Sequence, residues 1–277
     1  MTPIIETKDL TFAYPRSVTA LKNVNIKINK GEIIAIIGHN GSGKTTLVKH
    51  FNGLLKPTSG EVLINGESTK NVTTAKLSRT VGYVFQNPDD QIFNSKVYNE
   101  VAFGPENLNL SRKEIDKRVD DALKLVGLEK YKKTHPLDLS IDDKKLLTMA
   151  SIIAMNPEVI ILDEPSSGQD HEGILKVESL IKELNKDHTI ILISHDMNMV
   201  ARVASRVIVM CDSVVLFDGS KREAFKHADI LKKTDVAPPL ITQLAQSIPG
   251  FKGDVLTIDE FVDELVKYKS LSSKHQR

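Results

Sequence analysis

The chain has 277 residues, of which 40% are hydrophobic and 26% charged, with a net charge of +1 and one cysteine. That length buries a real core, in one large domain or one domain with an appendage. The balanced charge removes the field that draws nucleic acid or an anionic surface, and no apolar run approaches the ~18 residues of a membrane-spanning helix. The N-terminus lacks the charged and apolar regions of a secretion signal. Cys211 closes the apolar stretch 207–211 and reads as a buried thiol of a reducing compartment.

Ile4 to Phe12 and Val24 to Ile28 read as strands parted by turn residues such as Pro15. Ile33 to Ile37 is apolar throughout, as a strand covered on both faces is. It runs directly into Gly38, His39, Asn40, Gly41, Ser42, Gly43, Lys44 and Thr45, followed by a helical pattern. This is a G-x-x-x-x-G-K-[ST] phosphate loop in its required context. Its glycines let backbone N–H groups close around phosphate oxygens, and the helix start adds a positive dipole end. Lys44 can reach the β and γ phosphates and Thr45 offers a hydroxyl to Mg²⁺. The ligand class is therefore a nucleoside triphosphate with magnesium.

Glu61 to Ile64 and Thr80 to Phe85 are further strands, the second leading to Gln86. An amide there can reach Mg²⁺ or an attacking water. From Pro88 to about Met155 the character changes. Ser111 to Val126 has helical spacing, and Ser111 with Glu114 reads as a capping box at its start. We expect a helical subdomain over about 88–155, inserted in a domain spanning 1–219. Strands resume at Val159 to Leu162, Thr189 to Ile193, Val207 to Met210 and Val214 to Phe217, with helical segments near 173–184 and 196–203. Such alternation predicts an α/β fold, a mostly parallel sheet with helices on both sides. Residues 220–277 read as a small helical appendage, broken at Pro238-Pro239, with a short amphipathic helix at Ile258 to Val266 and a basic tail from Lys267.

Val159 to Leu162 ends in Asp163 and Glu164. In a phosphate-loop ATPase the strand-end Asp holds Mg²⁺, and the next Glu is placed to polarise a water. Ser167 to Asp170 forms a short loop beyond them. His195 follows the strand Thr189 to Ile193, and Tyr14 is available to stack on a base.

In this order and spacing the chain resembles the nucleotide-binding subunit of an ATP-binding cassette (ABC) transporter over residues 3 to 235. The likeness is narrower still at Gln86 to Phe93, Glu100 to Asn107 and the tail with Pro238-Pro239 and Leu256 to Glu260. There it is similar to the ATPases of energy-coupling-factor (ECF) and cobalt-type importers. The resemblance implies a P-loop ABC-ATPase fold with a mixed β-sheet core. It implies Tyr14 against adenine, residues 38 to Thr46 on phosphates, and Thr45, Gln86 and Asp163 around Mg²⁺. Glu164 is then the catalytic base, aided by Lys44, with His195 as γ-phosphate sensor and Asp170 in an inter-subunit loop. The implied partners are a second ABC ATPase, identical or different, an integral membrane coupling subunit met through the segment after Gln86, and a substrate-binding membrane subunit. The implied place is peripheral, on the cytoplasmic face of the membrane. Nucleic acid is not an expected partner.

One segment departs from the pattern. The family carries Leu-Ser-Gly-Gly-Gln opening a helix that caps the γ phosphate held by the other subunit. Here the aligned residues are Leu139, Ser140, Ile141, Asp142 and Asp143, followed by Lys144 and Lys145. Ile141 adds a branched side chain where close approach is needed. Asp142 and Asp143 place negative charge where an anion should bind. A like-charge contact at about 4 Å costs roughly 4 kcal/mol at an effective dielectric of about 20, which the two lysines would offset in part. The same residues make a good helix start, Ser as N-cap with acids in the first turn. The expectation is a sound helix and an impaired trans-site, so that hydrolysis is weak unless a different partner completes it. The competing functions are a soluble non-transport ABC ATPase and an ATP-binding dimerisation switch with little turnover.

Overall fold

The computed structural model describes residues 2–15 and 18–272; residues 273–277 of the expected basic tail lie outside them. Among the described residues, ten strands run β1 (Ile5–Tyr14), β2 (Val18–Ile28), β3 (Ile33–Ile37), β4 (Ser59–Ile64), β5 (Glu67–Ser68), β6 (Val81–Val84), β7 (Val159–Asp163), β8 (Thr189–Ile193), β9 (Arg206–Cys211) and β10 (Val214–Ser220). They form a four-stranded antiparallel sheet, β2-β1-β4-β5, and a six-stranded sheet, β10-β9-β3-β8-β7-β6. The second is parallel except at β10, which pairs antiparallel with β9.

Helix α1 (Lys44–Phe51) follows the phosphate loop, and α2 (Thr74–Leu77) is a single turn before β6. Between β6 and β7 lie α3 (Val97–Asn107), α4 (Arg112–Val126) and α5 (Ile141–Met155). α6 (His171–Leu184) and α7 (Met197–Val203) flank β8. α8 (Lys221–Lys226), α9 (Ala228–Lys233), α10 (Leu240–Ser247) and α11 (Ile258–Ser272) end the described chain.

The central strands are buried on both faces, so their period-2 alternation sorts residues between two cores rather than between core and solvent. Ile34, Ile36, Ile161 and Ile191 face one core, together with Leu47 and Phe51 of α1 and Leu10, Ile26 and Val62 of the antiparallel sheet. Ala35, Ile37, Leu162 and Leu192 face the other, with residues of α3 to α7. Helices α3 to α7 therefore cover one face, and α1 together with the antiparallel sheet covers the other. Helices lie on both sides, as expected, but on one of them a second sheet shares the cover. β1 and β2 also run further than their sequence pattern, because they pair with each other as far as Tyr14 and Val18. At Ser111 half the expected capping box forms. Its Oγ accepts from the Glu114 N–H at 3.3 Å, while the Glu114 carboxylate turns to Arg118 Nε at 2.9 Å. Phe225 and Leu231, beyond residue 220, are fully buried in the larger core.

Candidate functional site

Strands β3, β8 and β7 end side by side. Ile36 and Asp163 both lie opposite Ile193 in the parallel ladders. The chain therefore leaves the sheet at Gly38, Glu164 and Ser194 along one edge, the carboxyl edge where open α/β sheets bind ligands. A cleft of about 720 Å³ opens there. Its lining brings together Tyr14, Asn40, Gly41, Gly43, Lys44, Thr45, Thr46, Gln86, Asp163, Glu164 and His195.

Gly43 runs at φ 104°, and a Cβ on it would come within 2.5 Å of the Ala20 carbonyl oxygen. Only glycine fits that turn. Gly38, His39 and Ser42 stand outside the cleft lining. A Cβ at Gly38 would strike the Met210 carbonyl oxygen at 2.1 Å, so this glycine seats the loop against β9. Ser42 is fully buried, and its Oγ has no hydrogen-bond partner among the described residues. His39 turns toward Asp212.

Lys44 Nζ donates to the Gly38 and His39 carbonyls at 2.8 and 2.9 Å, curling the ammonium over its own loop. Burial lowers its pKa, against the pull of Glu164 and Asp163. Thr45 Oγ1 donates to Asp163 Oδ2 at 3.1 Å. With exposed Gln86 across the cleft, this is a set of hard oxygen donors of the kind Mg²⁺ takes. Asp163 Oδ2 also accepts from the Tyr83 hydroxyl at 2.7 Å. Burial, then the Asp163 charge, pushes that phenol well above its ordinary value. Tyr14 OH and Thr46 Oγ1 lie 3.2 Å apart, and Phe12 packs edge-on against the Tyr14 ring.

Glu164 sits at φ 51°, a left-handed backbone that is uncommon outside glycine and recurs at functional sites. Its N–H bonds the Ile193 carbonyl at 2.9 Å, which fixes this turn to β8. One carboxylate oxygen accepts from the His195 N–H at 3.2 Å. The other is buried with no hydrogen-bond partner among the described residues, and His195 Nε2 stands 3.4 Å from it. Burial pushes the Glu164 carboxyl up to about 7, opposed by the His195 N–H and by Lys44 and Lys145. Burial, then Lys44, lowers the pKa of His195.

The signature segment lies elsewhere. Among the described residues, none of 139–143 lines the cleft. Ser140 Oγ accepts from the Asp143 N–H at 3.1 Å, capping α5 as expected. Ile141 is 64% exposed. Lys144 Nζ is 3.0 Å from Asp89, and Lys145 Nζ donates to the Ser167 carbonyl. The offset expected from the lysines is divided: Lys144 is engaged by Asp89, and Asp142 acts on Lys145. Asp170 caps α6 through the Gly173 N–H at 2.8 Å and shares a groove with Ser140, Asp142 and Asp143. Tyr83, hydrogen-bonded to Asp163, is not singled out in the sequence, and Lys145, noted there for its charge beside Asp142 and Asp143, also acts on Glu164. The contact of Tyr83 depends on the β6–β7 register, in which it lies opposite Ile161. No local motif marks it.

The family model described as "ABC transporter" matches residues 21–167. The chain belongs to the ABC transporter family. The resemblance read from the motifs is borne out, and the cassette has the fold of an ABC-type ATPase. It is 46% identical over 246 residues to the energy-coupling factor transporter ATP-binding protein EcfA of Methanocaldococcus jannaschii, covering 88% of each chain. It is 45% identical over 271 residues to EcfA1 of Caldanaerobacter subterraneus, covering 94% of this chain and 98% of that one. The solved CbiO1 of Clostridium perfringens, described as part of the ABC transporter complex CbiONQ, superposes with a TM-score of 0.75 at 38% identity, covering 85% of this chain and 95% of that one. A dimeric ATP-binding cassette solved after hydrolysis with ADP and Pi superposes with a TM-score of 0.71 at 29% identity, covering 78% of this cassette and 98% of that one. Among the described residues of the cassette, no helix is long and apolar enough to cross a membrane.

Proposed function

We propose that this cassette is the ATP-hydrolysing subunit of an ECF/cobalt-type membrane importer, one carrying a vitamin or a transition-metal ion. The observation that supports it most is the meeting of the phosphate loop, the Asp163–Glu164 pair and His195 at one edge of the sheet. The names of the EcfA and CbiO relatives support the class of transporter.

On this reading Tyr14 stacks on adenine. The amides of residues 38–46 and Lys44 hold the triphosphate, Lys44 exchanging its two loop carbonyls for phosphate oxygens. Thr45, Gln86 and Asp163 hold Mg²⁺, which neutralises charge on the β and γ phosphates when bound. Glu164 orients the attacking water through its unpartnered oxygen and takes its proton. His195 steadies that carboxylate and meets the γ phosphate. Residues 1–219 act as the cassette, 88–155 as its helical subdomain and 220–277 as an appendage.

A second cassette, identical or different, completes the site through its own signature, and Asp170 lies at that interface. The assembly sits on the cytoplasmic face of the membrane, with a coupling subunit and a substrate-binding subunit. An apolar groove of about 690 Å³ supports the coupling contact, being lined by Phe85, Phe93, Phe103, Ile152 and Met155. Phe93 and Phe103 meet edge-on at 4.8 Å and are 65% and 46% exposed. The altered segment 139–143 makes this chain a poor lid for its partner's nucleotide, which favours pairing with a different ATPase.

Glu164→Gln tests the catalytic reading. It should retain ATP while hydrolysis falls by about 10²–10⁴, the usual worth of a positioned base; turnover at the unaltered rate would overturn the assignment. Recovery of integral membrane subunits with the tagged chain tests the transport reading.

A further inference from the structure

Beside the phosphate loop, outside the cleft lining, three side chains of different chemistry meet. His39 Nε2 stands 3.7 Å from Cys211 Sγ and 3.4 Å from Asp212 Oδ1, and Cys211 Sγ stands 3.6 Å from Asp212 Oδ2. We propose that His39, Cys211 and Asp212 form a binding site for a borderline-soft divalent cation of the zinc class.

The three groups stand at ligand spacing. With Zn–S near 2.3 Å and Zn–N and Zn–O near 2.1 Å, tetrahedral edges come to about 3.6 Å for S–N and S–O and about 3.4 Å for N–O. The Sγ–Nε2 separation of 3.7 Å matches its edge. Asp212 offers Oδ1 to Nε2 and Oδ2 to Sγ, so a turn of its exposed carboxylate brings one oxygen to both, and one ligand atom from each residue lies within 4.8 Å of the others. A mixed imidazole, thiolate and carboxylate set suits zinc and its borderline neighbours and does not suit magnesium.

The tautomer is also the one a metal needs. His39 Nδ1 lies 2.8 Å from the Asn40 carbonyl oxygen, which can only accept. The ring proton therefore sits on Nδ1, and in the neutral imidazole Nε2 presents a bare lone pair. A metal-binding histidine is oriented in this way by its other nitrogen. Acceptors crowd the sulfur as well. Nε2 of His39, the Asp212 carboxylate and the Lys233 carbonyl at 3.4 Å all face a single thiol proton. A cation satisfies Nε2 and the carboxylate together; a lone S–H cannot.

The backbone gathers this set. Adjacent side chains on a strand point to opposite faces. The chain leaves β9 at Asp212 and Ser213 with φ of 44° and 73°, which turns Asp212 back beside Cys211. Cys211 is 7% exposed and the Asp212 side chain 86%, so the sulfur is withdrawn from solvent while the carboxylate side of the site opens to water. Binding replaces the thiol proton, which leaves to solvent, by the metal. Because His39 belongs to the phosphate loop, an occupied site ties that loop to the end of β9. The Ser213 N–H already bonds the Ser42 carbonyl there at 3.2 Å.

Titration of the full chain with Co²⁺ without nucleotide, followed by displacement with Zn²⁺, tests this. The expected result is one Co²⁺ per chain with a thiolate-to-cobalt charge-transfer band that Zn²⁺ removes. Cys211→Ser should abolish the band. Asp212→Asn, at an exposed turn where the fold is not at risk, should weaken Zn²⁺ binding by more than about tenfold, the floor for disturbing even an outer-shell partner. Absence of the band from the unaltered chain, or equal Zn²⁺ affinity in Asp212→Asn, would overturn the proposal and leave a hydrogen-bonded triad only.

Discussion

Helix α1 begins at Gly43, in a left-handed conformation, with no side-chain cap and no acid in its first turn among the described residues. Helix α5 begins at Ser140, whose hydroxyl takes the Asp143 N–H, with Asp142 and Asp143 in the first turn. Both helices present the same unpaired N–H groups and the same positive dipole end. α1 leaves them open, so they suit an external anion. α5 supplies its own acceptor and its own negative charge. Good capping and anion binding draw on the same donors, so a helix start improved for stability is spoiled as a phosphate site. In α5 the ordinary rules of helix stability are obeyed, and in α1 they are suspended.

The largest effect expected from breaking this difference comes from rebuilding the second helix start. Ile141→Gly, Asp142→Gly and Asp143→Gln together should raise ATP hydrolysis about tenfold or more wherever this segment completes a site. That corresponds to recovering only about 1.4 kcal/mol of the charge penalty. An unchanged rate in the assembled complex would mean that the acids do not hinder the trans-site.

A smaller effect is read from pH. On the proposed mechanism Glu164 acts as base and must be ionised to do so, and burial holds its carboxyl up to about 7. The acid form therefore accumulates as pH falls through about 7, and kcat/KM should drop about tenfold per unit below it. The lowered pKa of His195 keeps the imidazole neutral above that limb. An acid limb in the ordinary carboxylate range would show Glu164 to be less buried in solution.

The smallest effect is on stability. Ser140→Ala removes the cap of α5 and should cost about 1 kcal/mol of unfolding free energy by denaturant titration. Little change would mean that the Asp143 N–H finds water as good a partner.

Much of the site was legible in the sequence, because it is written locally. The glycine pattern, the strand ending in Asp163 and Glu164, His195 after β8 and the Ser140 cap each depend on a few consecutive residues and on one strand or helix. What was hidden depends on register and packing between distant segments. Tyr83 meets Asp163 because β6 lies beside β7. Phe51 and Ile34 share a core with Leu10 because a second sheet covers α1. His39, read only as a loop residue, meets Cys211 across 172 positions of sequence. Propensity and periodicity carry no record of such pairings.

The most direct measurement mixes two halves. One chain carries Lys44→Ala with Ile141→Gly, Asp142→Gly and Asp143→Gln, an open lid over a disabled loop. The other is unaltered, a sound loop under a closed lid. We expect the mixture to hydrolyse ATP faster than either chain alone, with the excess peaking at equal amounts. A mixture no faster than the sum of its parts would contradict the assignment of α1 as the phosphate-receiving start and α5 as the obstructed one.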